Sequence, residues 1–311
     1  MAIAPVPLEA REGRVARRNQ HARAQARWGY LLVAPMMLGF ALFFLLALAA
    51  SLFLSFTDWN VLNSPNWVGL DNYARLFDDG AFHAALRNTA VLTVPHVVLR
   101  IAFALLLAIA LNSRIRFRTF YRTIFFIPVL TMPVAIGTVW KWLYDPTYGP
   151  INYALGQLGL PRPAWLSDPN TVLIAVVIVL LWSGVGYDMI IFLAGLQNIP
   201  RDYYEAVQLD GAGPWRQFRD ITLPLLTPTT FFLMVVAVIH SLQVFDLVYI
   251  MTEVEHTTSN RFPTMVYYIY DEAFRNFRMG YATAVAWVLL LIILVFTLLQ
   301  FWLQRRWVHY T

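Results

Sequence analysis

Six long apolar runs constrain this 311-residue chain more than any other feature of its sequence. Each is close to the roughly 20 residues that an α-helix needs to cross the hydrocarbon layer of a bilayer. They extend approximately over 30–55, 88–111, 121–142, 171–195, 226–250 and 280–302. Because backbone groups in lipid must be satisfied within each segment, we predict an all-α membrane protein with six transmembrane helices. Outer-membrane strands would instead alternate over about 10 residues.

Composition excludes several classes of site. Hydrophobic residues make up 59% of the chain and charged residues only 13%. Cysteine is absent, so disulfides and thiolate sites are excluded. The single lysine, Lys141, lies in TVWKW and follows no glycine-rich turn. The phosphate-binding loop of many ATPases needs a lysine after such a turn. The chain therefore does not bind ATP in that manner.

The distribution of basic residues predicts the orientation. Fifteen of the 23 fall in the two tails and in the segments that follow the second and fourth apolar runs. By the positive-inside rule we expect both termini in the cytoplasm. We divide the chain into a basic N-terminal tail (1–28), a transmembrane domain (29–304) and a C-terminal tail (305–311). The first apolar run is too long for a signal peptide, so we interpret it as a retained span.

A polar segment at residues 197–224 separates the fourth and fifth runs. Pro200 suits the first turn of a helix, and Gly211 is a natural helix stop. Pro214 can begin a second helix, and Pro224 is expected to end it. The pattern predicts a helix, a sharp bend and a second helix at the cytoplasmic surface. Such a unit is either a plain connector or a docking site for a cytoplasmic partner.

The residue pattern of this segment is specific. It comprises Glu205-Ala206-Val207, then Gly211, then Ile221-x-Leu223-Pro224. The pattern resembles the EAA loop of bacterial ABC importer permeases, apart from valine in place of alanine at position 207. We call residues 197–224 the EAA-like segment. Further stretches are similar to carbohydrate importer permeases: VGLDNY (68–73), FYRTIFFIPVL (120–130), YGPIN (148–152), LAGLQNIP (193–200) and LQVFDLVYIMT (242–252). The family's Gly-Gly-Pro after Thr252 is replaced by Glu253-Val254-Glu255-His256.

The resemblance implies a type I ABC importer permease fold with cytoplasmic coupling helices, in the inner membrane of a bacterium or archaeon. Implied partners are a second permease, two ATPase subunits and an external binding protein that delivers a sugar or oligosaccharide. The chain itself would have no catalytic residue, metal or cofactor, because the ATPase subunits hold ATP and Mg²⁺. Residues implied in ATPase coupling are Tyr203, Tyr204, Glu205, Ala206, Val207, Asp210, Gly211, Ile221, Leu223 and Pro224.

Polar residues within spans suggest a substrate pathway. Local alignment with the maltose permease subunit implies pocket positions, to which we add neighbouring side chains suited to sugars. The predicted set is Trp182, Ser183, Gly184, Tyr187, His240, Ser241, Gln243 and Val244. Aromatic rings can stack on a sugar face, and hydroxyl, amide and imidazole groups can bond its hydroxyls. Each residue has the alternative role of a hydrogen bond between helices.

Three alternatives remain at this point. Glycerol-3-phosphate or another polyol would be carried by the same mechanism, although no cationic cluster for a phosphate is evident. A proton-coupled secondary transporter would use Asp188, Asp246 or His240, yet the internal repeat expected of such folds is not visible. Intramembrane Asp188 or Asp246 can alternatively pair with Arg100. A membrane-embedded enzyme is the third alternative, and the acidic pairs of the loops match no catalytic frame.

Overall fold

The computed structural model describes Gln25 and residues 28–113, 115–252 and 262–308. Most of the predicted N-terminal tail lies outside the described residues. So does the Glu253–His256 stretch, where the sequence departs from the permeases that it resembles.

Helices dominate the described residues. The first seven are α1 (Trp28–Ser55), α2 (Asp71–Asp78), α3 (Gly80–Asn112), α4 (Arg118–Leu130), α5 (Pro133–Leu143), α6 (Pro150–Gln157) and α7 (Val172–Gln197). The others are α8 (Arg201–Leu209), α9 (Pro214–Leu225), α10 (Thr227–Leu242), α11 (Asp246–Thr252), α12 (Met265–Tyr270), which continues as a π-helix over Asp271–Arg275, and α13 (Met279–Gln304). A short antiparallel pair, β1 (Thr57–Asp58) and β2 (Asn66–Trp67), is the exception to the all-α expectation.

Four of the described helices are long and apolar enough to cross a bilayer: α1, α3, α7 and α13. Two bent pairs meet the same test jointly, α4 with α5 at 100° and α9 with α10 at 62°. We had expected one continuous helix over 121–142, but the structure divides this run into α4 and α5. The run at 226–250 is likewise divided, because residues 243–245 separate α10 from α11.

Prolines explain the sharpest bend. Pro128 lies in the last turn of α4, and Pro133 opens α5 at a position where a missing N–H costs little. Thr131 and Met132 between them have extended backbone. A proline removes a helical hydrogen bond and disfavours helical geometry in the residue before it. Apolar composition alone predicted a span here, whereas the prolines divide it.

Close helix contacts form the core of the bundle. Helices α3 and α7 each supply more buried residues than any other helix, and α4 packs across α7. A Cβ added to Gly186 would lie 2.0 Å from the backbone oxygen of Phe125, so only glycine permits this approach. Small residues at such contacts are typical of membrane helices, where van der Waals packing drives association.

Asp79 joins three elements at the end of the bundle opposite the EAA-like segment. Its Oδ1 caps α3 by accepting the N–H groups of Ala81 and Phe82 at 2.9 and 3.2 Å. Its Oδ2 accepts the hydroxyls of Tyr268 and Tyr281, both at 2.5 Å. Partial burial alone would raise the pKa of Asp79, but these hydrogen bonds outweigh it and hold the pKa below its ordinary value. The carboxylate therefore holds the start of α3 against α12 and α13.

Candidate functional site

The EAA-like segment folds as a helix, a tight turn and a second helix. Helix α8 ends at Leu209, and Gly211 follows with a φ of +74°. The N–H of Gly211 bonds the oxygen of Gln208 at 3.0 Å, and that of Ala212 bonds the oxygen of Val207 at 3.1 Å. These two bonds form a Schellman motif, in which glycine adopts the left-handed backbone conformation without steric strain. The expected bend at Gly211 is present.

Side chains on one side of the segment attach it to the bundle. The hydroxyl of Tyr204 lies 3.0 Å from that of Thr222, joining α8 to α9. Gln217 donates to the backbone oxygen of Ala212 at 2.9 Å across the turn. Ile221 packs with Tyr204 against the cluster at the ends of α3 and α7. The two helices therefore form one fixed unit beneath the membrane domain.

Other side chains face away from the bundle. The exposed members of the predicted coupling set are Tyr203, Glu205, Ala206, Asp210 and Leu223, with Gly211 at the turn. Val207 and Pro224 are half-buried. Pro224 does not end α9, which continues to Leu225 before the break at Leu226. Two exposed apolar residues beside the turn, Leu209 and Trp215, were not in the predicted coupling set. Their large side chains and their positions near Gly211 are the signals that could have identified them as candidates.

A polar cavity of about 280 Å³ lies between α3, α5, α7, α10 and α11. It is lined by His96, Arg100, Pro133, Leu180, Ser183, Gly184, His240, Gln243, Val244, Phe245, Asp246 and Leu247. Five of the eight predicted pathway residues are among these: Ser183, Gly184, His240, Gln243 and Val244. The break after α10 brings the last two to the cavity.

The other three predicted pathway residues lie elsewhere. Trp182 lines a separate apolar groove of about 690 Å³ and makes an edge contact with Trp140. Tyr187 is 42% exposed on α7 and is not among the residues that line the cavity. Ser241 is buried, and its hydroxyl bonds Thr93 at 3.2 Å. Consecutive residues of a helix point in different directions, so Ser183 faces the cavity while Trp182, its neighbour on α7, faces the apolar groove.

Arg100 and Asp188 form a buried ion pair beside the cavity. The guanidinium donates to the two carboxylate oxygens at 2.5 and 2.9 Å. Asp188 is 1% exposed and Arg100 9%. A Cβ on Gly184 would lie 3.1 Å from the guanidinium, so the pair fills the space that this glycine leaves. Of the two partners considered for Arg100, the structure selects Asp188.

His96 is a buried polar residue of α3 that was not in the predicted pathway set. Its Nδ1 lies 3.2 Å from the Ser241 hydroxyl, which joins α3 to α10. Its Nε2 is buried without a hydrogen-bond partner among the described residues. The imidazole lines the polar cavity, where an incoming hydroxyl group would give that nitrogen a partner.

Comparison with known proteins assigns the family. Residues 89–309 match the family described as "Binding-protein-dependent transport system inner membrane component". The chain is 37% identical to the probable ABC transporter permease YesP of Bacillus subtilis, over 91% of this chain and 92% of that protein. It is 35% identical to the lactose transport system permease LacF of Rhizobium radiobacter, over 89% of this chain and 94% of that one.

The fold agrees with that assignment. A chain of a bacterial alginate ABC transporter, solved in complex with an alginate pentasaccharide-bound periplasmic protein, superposes with a TM-score of 0.82. The two chains are 25% identical, and the match covers 91% of this chain and 96% of the other. The sequence, the bundle and the helical EAA-like segment thus agree with the type I fold. This protein belongs to the binding-protein-dependent transport family and is a membrane-spanning permease subunit of an ABC importer.

Proposed function

We propose that this permease carries a sugar or oligosaccharide through the polar cavity, driven by a separate ATPase at the EAA-like segment. The observation that supports this most is continuity of the chain. Helix α7, which lines the cavity, leads through a few residues into α8 of the segment. Helix α9 leads through Leu226 into α10, which also lines the cavity. A displacement of α8 and α9 would therefore be transmitted to both cavity walls.

A neutral sugar suits the cavity better than a phosphorylated polyol. Ser183, His240 and Gln243 offer groups that can donate to or accept from hydroxyls. The guanidinium of Arg100 is already bonded to Asp188 by two hydrogen bonds. It is therefore not available as the cation that a phosphate would need. The lactose system named for one relative supports the same substrate class. The alginate of the solved transporter supports a saccharide, though an acidic one.

The partners follow from the same comparisons. We place both termini and the EAA-like segment in the cytoplasm, where two ATPase subunits would hold ATP and Mg²⁺. A second permease would complete the pathway, and an external binding protein would deliver the sugar, as a periplasmic protein accompanies the alginate transporter. Closure of the ATPases would draw the coupling segments together and open the cavity outward. Hydrolysis would then reset the pathway.

Co-purification tests this proposal. The tagged chain is expressed in its native host and purified in mild detergent, and ATPase activity is measured in the eluate. Wild type should bring an ATPase, whereas Glu205→Ala and Gly211→Arg should lose it or its coupling to transport. Asp78→Ala, an exposed acidic residue at the opposite end of the bundle, is the matched control and should behave as wild type.

Absence of an ATPase from the wild-type eluate would contradict the proposal. A proton-coupled mechanism would then be tested at Asp246 and His240. Substrate class is a separate measurement: the reconstituted complex should take up a neutral oligosaccharide and not glycerol-3-phosphate. Uptake of the phosphate ester alone would refute the sugar assignment while leaving the ATPase coupling intact.

A further inference from the structure

Three arginines surround an open pocket of about 860 Å³ near the EAA-like segment. The pocket is lined by Asn112, Ile115, Arg116, Arg118, Gln197 and Arg201, and we call it the arginine pocket. It lies where α3 ends, α4 begins, α7 ends and α8 begins. It is distinct from the polar cavity and shares no residue with it.

The cations of this pocket have no acidic partner among the residues that the structure describes. None of the ion pairs among the described residues involves Arg116, Arg118 or Arg201. Asp202 follows Arg201 directly, yet the two do not form an ion pair. Arginine remains charged at any physiological pH, so the pocket holds three permanent positive charges. An anion with several oxygens, such as a phosphate group, would satisfy them through charge-assisted hydrogen bonds.

The surroundings of the pocket indicate which phosphate it would bind. Helices α3 and α7 are candidate spans, so their ends lie where the bilayer meets water. Phe117, Phe120 and Ile124 lie next to or shortly after Arg116 and Arg118 along the chain and expose apolar side chains. The guanidinium of Arg116 lies 5.2 Å from the ring centre of Phe117. Cations at headgroup depth beside exposed apolar residues match a phospholipid, which has an anionic head and acyl chains.

We propose that the arginine pocket is a binding site for the headgroup of an anionic phospholipid. Arg116 and Arg118 would hold the phosphate from the α3–α4 side, and Arg201 from the first residue of α8. A bound lipid would thereby connect the membrane surface to the EAA-like segment. The site would act on this segment whichever substrate the polar cavity carries.

Native mass spectrometry of the purified full chain, with whatever subunits accompany it, tests the site directly. The protein is released from nanodiscs of phosphatidylcholine and phosphatidylglycerol, and the retained lipids are counted. Wild type should retain phosphatidylglycerol. Each arginine near an anionic headgroup strengthens binding by roughly fivefold, so R116Q/R118Q/R201Q should bind about 100-fold more weakly.

Two variants separate this site from general surface charge and from misfolding. R216Q/R219Q/R306Q removes the same number of exposed cations elsewhere near the same end of the bundle and should retain the lipid as wild type does. R116K/R118K/R201K keeps the charges and should retain most of it. Equal retention by the triple glutamine variant, or equal loss in the control, would overturn the proposal.

A soluble anion is the other source of a phosphate group. Inorganic phosphate added to the wild-type protein should not displace phosphatidylglycerol, because it lacks the acyl chains that lie beside Phe117 and Phe120. Complete displacement would assign the pocket to a free phosphate and refute lipid binding. Loss of lipid accompanied by a newly bound protein would show that a subunit covers the pocket, which also refutes it.

Discussion

Replacing Arg100 with methionine should leave a buried carboxylate without a partner at the contact of α3 and α7. Asp188 is 1% exposed, and both of its oxygens accept hydrogen bonds from Arg100. Removing one partner of a buried ion pair costs about 3–5 kcal/mol, because the other charge stays away from water. Asp188→Asn should cost a similar amount by leaving the guanidinium unpaired.

The double variant Arg100→Met/Asp188→Asn removes both charges. The remaining neutral amide costs about 1–3 kcal/mol if it finds no partner. The double variant should therefore be no less stable than either single variant. Its loss in free energy of unfolding should be well below the sum of the two single losses. That shortfall is the signature of a direct interaction between the two side chains.

The assay is unfolding in mixed micelles titrated with SDS, followed by tryptophan fluorescence. Arg216→Met is the matched control, since Arg216 pairs with Asp220 at 3.5 Å while 64% and 47% of the two side chains are exposed. Exposed pairs contribute about 0–1 kcal/mol, so the control should change stability little. Equal effects of Arg100→Met and Arg216→Met, or additive effects in the double variant, would refute this account of the pair.

Three further substitutions test other features of the structure. Gly186→Ala places a Cβ 2.0 Å from the backbone oxygen of Phe125, so it should separate α4 from α7 and lower the yield of folded protein in size-exclusion chromatography. Gly211→Ala must adopt a φ of +74°, which costs about 1–2 kcal/mol, and hydrogen exchange should show faster opening of α8 while the spans stay protected. Asp79→Asn removes a carboxylate whose pKa is lowered on folding, so wild type should lose stability as the pH falls below about 4. The Asn variant should lack that loss, and exposed Asp78→Asn should retain it; a flat wild-type profile in the acid range would contradict the role of Asp79.

The lengths of the apolar runs were enough to predict the class of fold. The positions of glycine and proline were enough to predict the shape of the EAA-like segment. The Schellman turn at Gly211 was predictable because glycine, proline and the polar flanks act locally. The same residues could not show that Leu209 and Trp215 face outward beside the turn. Exposure depends on how the segment lies against the ends of α3 and α7, which is a tertiary property.

The bend at Thr131 and the break after Leu242 were not predicted, because hydropathy averages over such interruptions. Pro128 and Pro133 carried a local signal for the first. The partial success at the polar cavity has a related cause. A list of polar positions on α7 does not say which side chains meet α3 and α10, so it could not show that Trp182 lines the apolar groove or that Tyr187 is 42% exposed.

The bend between α4 and α5 also fixes where the bilayer can lie. Helix α4 has 13 residues and spans about 20 Å, less than the roughly 30 Å of hydrocarbon. The irregular backbone at Thr131 and Met132 must then lie at hydrocarbon depth, where only protein or water can surround it. Leu130 and Met132 are 74% and 76% exposed in the isolated chain. This bend is consequently closed to lipid, and the neighbouring surface either contacts another subunit or lines an aqueous passage.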